Sequence, residues 1–106
     1  MGGSMMEPVY SLMLQKLREY IHWGWRFVDA AERSADQGDP YSCCMEASWA
    51  RERLNMALGI YYLMVDLGQE VPREVRGSLW ALQRAVMRLY KNCGCWDAWA
   101  RIGRKI

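Results

Sequence analysis

One histidine, one phenylalanine and three prolines in 106 residues narrow the field before any motif is sought. A lone His leaves few options for a general base, and no G-x-S-x-G, Walker A or G-x-G-x-x-G run is present. Catalysis has no support, so no catalytic residue, no metal ligand set and no cofactor is expected. The most apolar run, "MALGIYYLMV" (Met56–Val65), has ten residues, about half of the roughly 20 that a membrane-spanning helix needs. The N-terminus lacks a basic stretch followed by an apolar one, so no secretory signal is read there. These absences lead to the expectation of a soluble, cytoplasmic protein that is not an enzyme.

What is present is apolar and aromatic. Hydrophobic residues make up 52% and charged residues 25%, a globular balance, and the length suits one domain. "GGS" before a second Met reads as an expression scar or flexible N-terminus over residues 1–8, leaving residues 9–106 as a single helical-bundle domain. The net charge of +2 is unevenly spread. Residues 1–72 hold six Lys/Arg against ten Asp/Glu, and residues 73–106 hold eight against two. The basic end could face an acidic partner, nucleic acid or the acidic part of its own bundle.

Proline and glycine punctuate the chain. "QGDPY" (Gln37–Tyr41) predicts a turn with Asp39 as N-cap and Pro40 at the first helical position. "LGQEVPREV" (Leu67–Val75) offers Gly68 to close one helix and Pro72 near the start of the next, and "NCGC" (Asn92–Cys95) breaks the chain again. Between these breaks the apolar period is helical. It selects Tyr10, Leu14, Leu17, Ile21, Gly24, Val28, Ala31 and Ala35, then Cys43, Ala47, Ala50, Leu54, Ala57, Tyr61 and Met64. In the third segment it selects Val75, Leu79, Leu82, Val86, Leu89 and Cys93. Short connections predict an all-α, antiparallel up-down bundle of three long helices, with a short fourth from about Trp96 to Arg104.

The second and third helices each carry more than one apolar stripe. Trp49, Met56 and Ile60 lie on a second stripe of one, and Trp80 and Met87 beside the core stripe of the other. Such a surplus suits a partner helix in a groove or a homodimer, and it also suits ordinary core packing. Trp49, Met56, Ile60, Trp80 and Met87 are therefore the candidate partner-binding residues.

Other constellations are weaker. Cys43-Cys44 and Cys93-x-Cys95 fall at the same end of the bundle, but this is not the repeated C-x₂₋₄-C spacing of structural zinc sites. In a cytoplasmic chain the reading favours free thiols over one disulfide or a metal site. Glu19-x-x-His22 would need a twin from a second copy, with Glu46 or Glu52, to build a carboxylate-bridged metal site. Arg84, Arg88 and Lys91 share one helix face, as on any solvated helix, and no helix-turn-helix pairing accompanies them, so nucleic acid is not the expected partner.

The pieces "YIHWGWRFVDAAERSADQGD" (Tyr20–Asp39), "EASWARERLNMALG" (Glu46–Gly59), "EVRGSLWALQRAVMRLY" (Glu74–Tyr90) and "WDAWARI" (Trp96–Ile102) together resemble the flagellin-specific export chaperones of bacterial flagellar secretion. The resemblance spans residues 12–102. It implies a helical bundle that accepts the sticky terminal segment of flagellin in apolar grooves and keeps it monomeric before export.

Overall fold

The computed structural model describes residues 2–95, with side chains from Glu7 onward. Three helices account for nearly all of it: α1 (Gly2–Asp36), α2 (Pro40–Asp66) and α3 (Arg73–Asn92). Among the described residues there is no strand. The fold is an all-α helical bundle. The short helix expected from about Trp96 lies outside the described residues. At the other end, α1 begins at Gly2 and carries Pro8 inside it.

The α1–α2 connection shows why so few residues suffice. Gly38 adopts φ 73°, a left-handed conformation that costs glycine nothing. Its N–H donates to Ala35 O at 3.0 Å, and Asp39 N–H donates to Ser34 O at 2.9 Å, which closes the last turn of α1. Asp39 then opens α2. Its carboxylate accepts from the Ser42 N–H at 3.1 Å and from the Ser42 hydroxyl at 2.6 Å, with Pro40 following as the first helical residue. Gly68 repeats the closing geometry at the end of α2, with Gln69 N–H donating to Met64 O at 2.9 Å.

The hydrogen bonds from the Ser42 hydroxyl and N–H hold the Asp39 carboxyl below its ordinary 3.8. Because the folded value is depressed, the stabilisation is complete above about 3.8 and is lost as pH falls through the folded value. Asp39→Ala should lower Tm at neutral pH. Asp39→Asn should recover most of the loss and abolish the acid-dependent part, which thermal melts by circular dichroism between pH 7 and pH 2 would register.

The core follows the helical stripes closely. Leu17, Ile21, Val28 and Ala31 of α1 meet Cys43, Ala47, Ala50, Leu54, Ala57 and Met64 of α2. Val75, Leu79, Leu82, Val86 and Leu89 of α3 complete it. The small residues on α2 let α1 approach closely, because alanine puts only a methyl between two backbones. Gly24 does the same for α3: a Cβ there would stand 2.6 Å from Leu82 Cδ2. The stripe slips at one place. Ala35 is exposed and Ser34 is buried instead, since the Ser34 hydroxyl donates to Glu46 Oε1 at 2.8 Å across to α2.

Cross-helix contacts fix how the elements meet. Tyr10 donates to Glu70 O at 2.8 Å, Trp25 Nε1 donates to Ser78 Oγ at 3.1 Å, and Tyr61 and Trp80 meet edge to face at 5.5 Å. Near the other end, the Tyr90 hydroxyl donates to Ser48 Oγ at 3.2 Å.

Candidate functional site

Trp23 and Trp25 are two residues apart, which is about 200° around a helix. Trp25 turns toward α3 and its hydrogen bond to Ser78, so Trp23 stands on the side of α1 that α3 does not cover. There it is 47% exposed and lies 6.3 Å from Phe27, and Phe27 lies 5.6 Å from Trp49 of α2. The three rings bridge α1 and α2 on their outer side. Helical spacing extends the strip along α1 through Leu12, Lys16 and Tyr20, and along α2 through Met45, Met56, Ile60 and Leu63.

Charged groups border this strip, and two of them lie against its apolar side chains. Lys16 and Glu19 pair with each other at 3.2 Å, and the Arg26 guanidinium lies over the Trp23 ring at 5.6 Å. Arg53 Nη1 donates to Met56 Sδ at 3.5 Å. Between Lys16, Tyr20, Trp23, Phe27 and Arg53 the surface dips into a hollow of ≈ 300 Å³. Large apolar side chains on the strip remain open to solvent, Trp49 among them at 43%. Exposed apolar side chains grouped on one face, rather than scattered singly, mark candidate interaction surfaces.

The five sequence-derived binding residues do not form one face. Trp49, Met56 and Ile60 lie on the α2 strip beside α1. Tyr61 points about 120° away from Trp49 around α2, and it is Tyr61 that meets Trp80. Met87 is exposed (64%) on α3, one strip with Trp80. Tyr20, Trp23 and Phe27 complete the α1 side of the outer face, and sequence reasoning missed them. They sit one position before Ile21, Gly24 and Val28 of the core stripe, a displacement that repeats along the helix.

The cysteines form a second notable cluster, and here the structure contradicts the expectation of free thiols. Cys43 is bonded to Cys93 and Cys44 to Cys95, with Cα–Cα separations of 6.2 Å and 5.5 Å. The fold brings the start of α2 and the turn after α3 together at one end, within disulfide reach. Metal spacing and compartment, the two tests applied to the sequence, say nothing about that pairwise reach. Both bonds span about fifty residues, with separations of 50 and 51.

The remaining candidates stay apart. His22 is exposed and edge-on to Trp23 at 5.9 Å, Glu19 is engaged by Lys16, and Glu46 accepts from Ser34. Among the described residues no group of three His, Cys, Asp or Glu is arranged to hold a metal ion, and no helix is long and apolar enough to cross a membrane. Comparison of the chain with family models, with curated proteins and with solved structures finds no match.

Proposed function

We propose that this chain is a non-enzymatic helix-binding protein that holds an aggregation-prone amphipathic helix of a partner along the outer face of α1 and α2. The large apolar side chains that face leaves open to solvent, Trp23 at 47% and Trp49 at 43% among them, support the reading, since grouped exposed apolar residues mark interaction surfaces. An amphipathic helix laid between α1 and α2 would add a helix to an antiparallel up-down bundle. The contacts Ser34–Glu46, Phe27–Trp49 and Tyr10–Glu70 support that arrangement of α1, α2 and the segment after it. The resemblance to flagellin export chaperones names the partner class as the terminal helical segment of a flagellin. Met56, Ile60 and Trp49 of α2, with Trp23 and Phe27 of α1, are the contacts.

A second reading places another copy of the chain on the same face as a homodimer, and the same exposed side chains support it. A partner helix is preferred because the surface between the two helices dips into a hollow whose rim combines Tyr20, Trp23 and Phe27 with the charged Lys16, Glu19 and Arg53, a lining suited to an amphipathic segment. The cytoplasmic setting belongs with the chaperone reading. Disulfides persist mainly in oxidising compartments, so the thiol state of protein taken directly from cells reports on the compartment.

The binding test uses a labelled peptide of a flagellin's terminal helical segment, followed by fluorescence anisotropy. Trp49→Asp and Met56→Asp should each weaken binding by about tenfold or more while the helical spectrum is retained, since a charge is placed in a desolvated contact. Met87→Asp, off the face, should leave affinity unchanged. Equal binding by all three variants would remove the face from the account.

A further inference from the structure

We propose that the Cys43–Cys93 disulfide is a thiol-exchange site, open to attack at Cys93 by an external dithiol, while Cys44–Cys95 is the retaining bond that keeps the end of α3 in place. The four cysteines differ in access. Cys43 and Cys95 are fully buried, whereas Cys93 is only partly buried and lines two adjoining hollows. One, of ≈ 370 Å³, lies between Glu32 and Asp36 of α1 and Arg88 and Asn92 of α3. The other, of ≈ 190 Å³, opens beside Gly38, Asp39 and Pro40 and is lined by both Cys43 and Cys93. Of the two bonded residues Cys93 is the less buried, and it alone lines both hollows.

Thiol–disulfide exchange needs an incoming thiolate, an accessible sulfur and a leaving thiolate. The incoming sulfur bonds to Cys93 Sγ as the Cys43–Cys93 bond breaks, and Cys43 takes the electron pair. Cys43 is the fourth residue of α2, where the helix N-terminus favours negative charge. The second thiol of the reagent then displaces Cys93 from the mixed disulfide. In total Cys43 and Cys93 gain two electrons and two protons, and the dithiol leaves as a disulfide. Cys44 is partly buried too, but neither Cys44 nor Cys95 lines these two hollows. With Cys44–Cys95 intact, the loop of about fifty residues stays closed, so the fold survives the exchange.

The groups at the mouth bear on which thiol is accepted. Glu32, Asp36 and Asp39 stand on one side and only Arg88 on the other, so an uncharged dithiol is favoured over the anionic glutathione. The experiment exposes the oxidised full-length chain to dithiothreitol, to glutathione and, in a separate arm, to thioredoxin, then traps thiols with iodoacetamide and maps them by mass spectrometry. Cys43 and Cys93 should be alkylated roughly tenfold faster than Cys44 and Cys95, with the helical spectrum unchanged, and glutathione should be found on Cys93. Reaction with dithiothreitol alone identifies a small thiol as the substrate, and reaction with thioredoxin a protein dithiol. Simultaneous opening of both bonds, earlier opening of Cys44–Cys95, or reduction only after unfolding would overturn the proposal. The Cys44→Ala/Cys95→Ala variant provides a control, since it should retain exchange at Cys93.

Discussion

Removing both disulfides together should cost at least about 4 kcal/mol, whereas removing either alone should cost about 2 kcal/mol or less. The asymmetry follows from where the bonds lie. Each closes a loop of about fifty residues, but their ends are adjacent: residues 43 and 44 on one side, 93 and 95 on the other. Once one bond is made, the second closes only a ring of a few residues, and the entropy of closing a ring grows with the logarithm of its length. The large term, roughly 4 kcal/mol for a fifty-residue loop, is therefore shared between the bonds and lost only when the second goes. Urea unfolding of the Cys43→Ala/Cys93→Ala chain, the Cys44→Ala/Cys95→Ala chain and the chain with all four replaced would measure this. Additive losses would show that the bonds do not close the same loop. A domain of this size has only about 5–15 kcal/mol in total, so the fully replaced chain should be close to unfolding.

The second large effect is expected where α1 meets α3. Leu82 is fully buried and its Cδ2 occupies the space a Gly24 side chain would take. Leu82→Ala should cost about 2–5 kcal/mol, the transfer of the removed carbons plus the void left behind. Gly24→Ala alone gains roughly 1 kcal/mol in helix propensity but forces a methyl to within 2.6 Å of Leu82 in a packed interior. Overpacking of that kind costs about 1–3 kcal/mol, so the net effect is a loss. In the double variant the alanine methyl enters the space that Leu82 vacates. The two losses should then fall short of additivity by about 1 kcal/mol, within the usual range for residues in contact. A double-mutant cycle in urea reads this directly, and strict additivity would mean that Gly24 and Leu82 do not compete for one volume.

Most of the fold was legible in the sequence because helices joined by tight turns are local structures. Asp39, Pro40, Gly38 and Gly68 specify their turns through capping and backbone chemistry that needs no distant partner. The stripe on α2 named its buried residues, and Gly24 stood out as a small residue on an apolar line. The slip at Ser34 and Ala35 was not legible, since it depends on a hydrogen bond to Glu46 across the helix pair. The proposed binding face was only half legible for a related reason. Periodicity finds an apolar stripe but does not say which neighbour covers it, so Trp49, Met56 and Ile60 were grouped with Trp80 and Met87 on the basis of surplus alone. Tyr20, Trp23 and Phe27 were hidden beside the core stripe of α1, one residue out of phase. The disulfides required knowing which ends of α2 and α3 meet and how closely, a tertiary distance that no spacing rule supplies.

Hydroxyl-radical footprinting with and without a flagellin terminal-segment peptide tests the proposed binding face most directly, because it reads each side chain separately. In the free chain, at a mass of 12.4 kDa, Trp23, Trp49 and Met87 should all be oxidised. Adding the peptide should protect Trp23, Trp49 and Met56 and leave Met87 unchanged. Protection of Trp80 and Met87 with an unaltered α1–α2 face would contradict the account, as would a free chain of twice that mass in which Trp23 and Trp49 are already shielded.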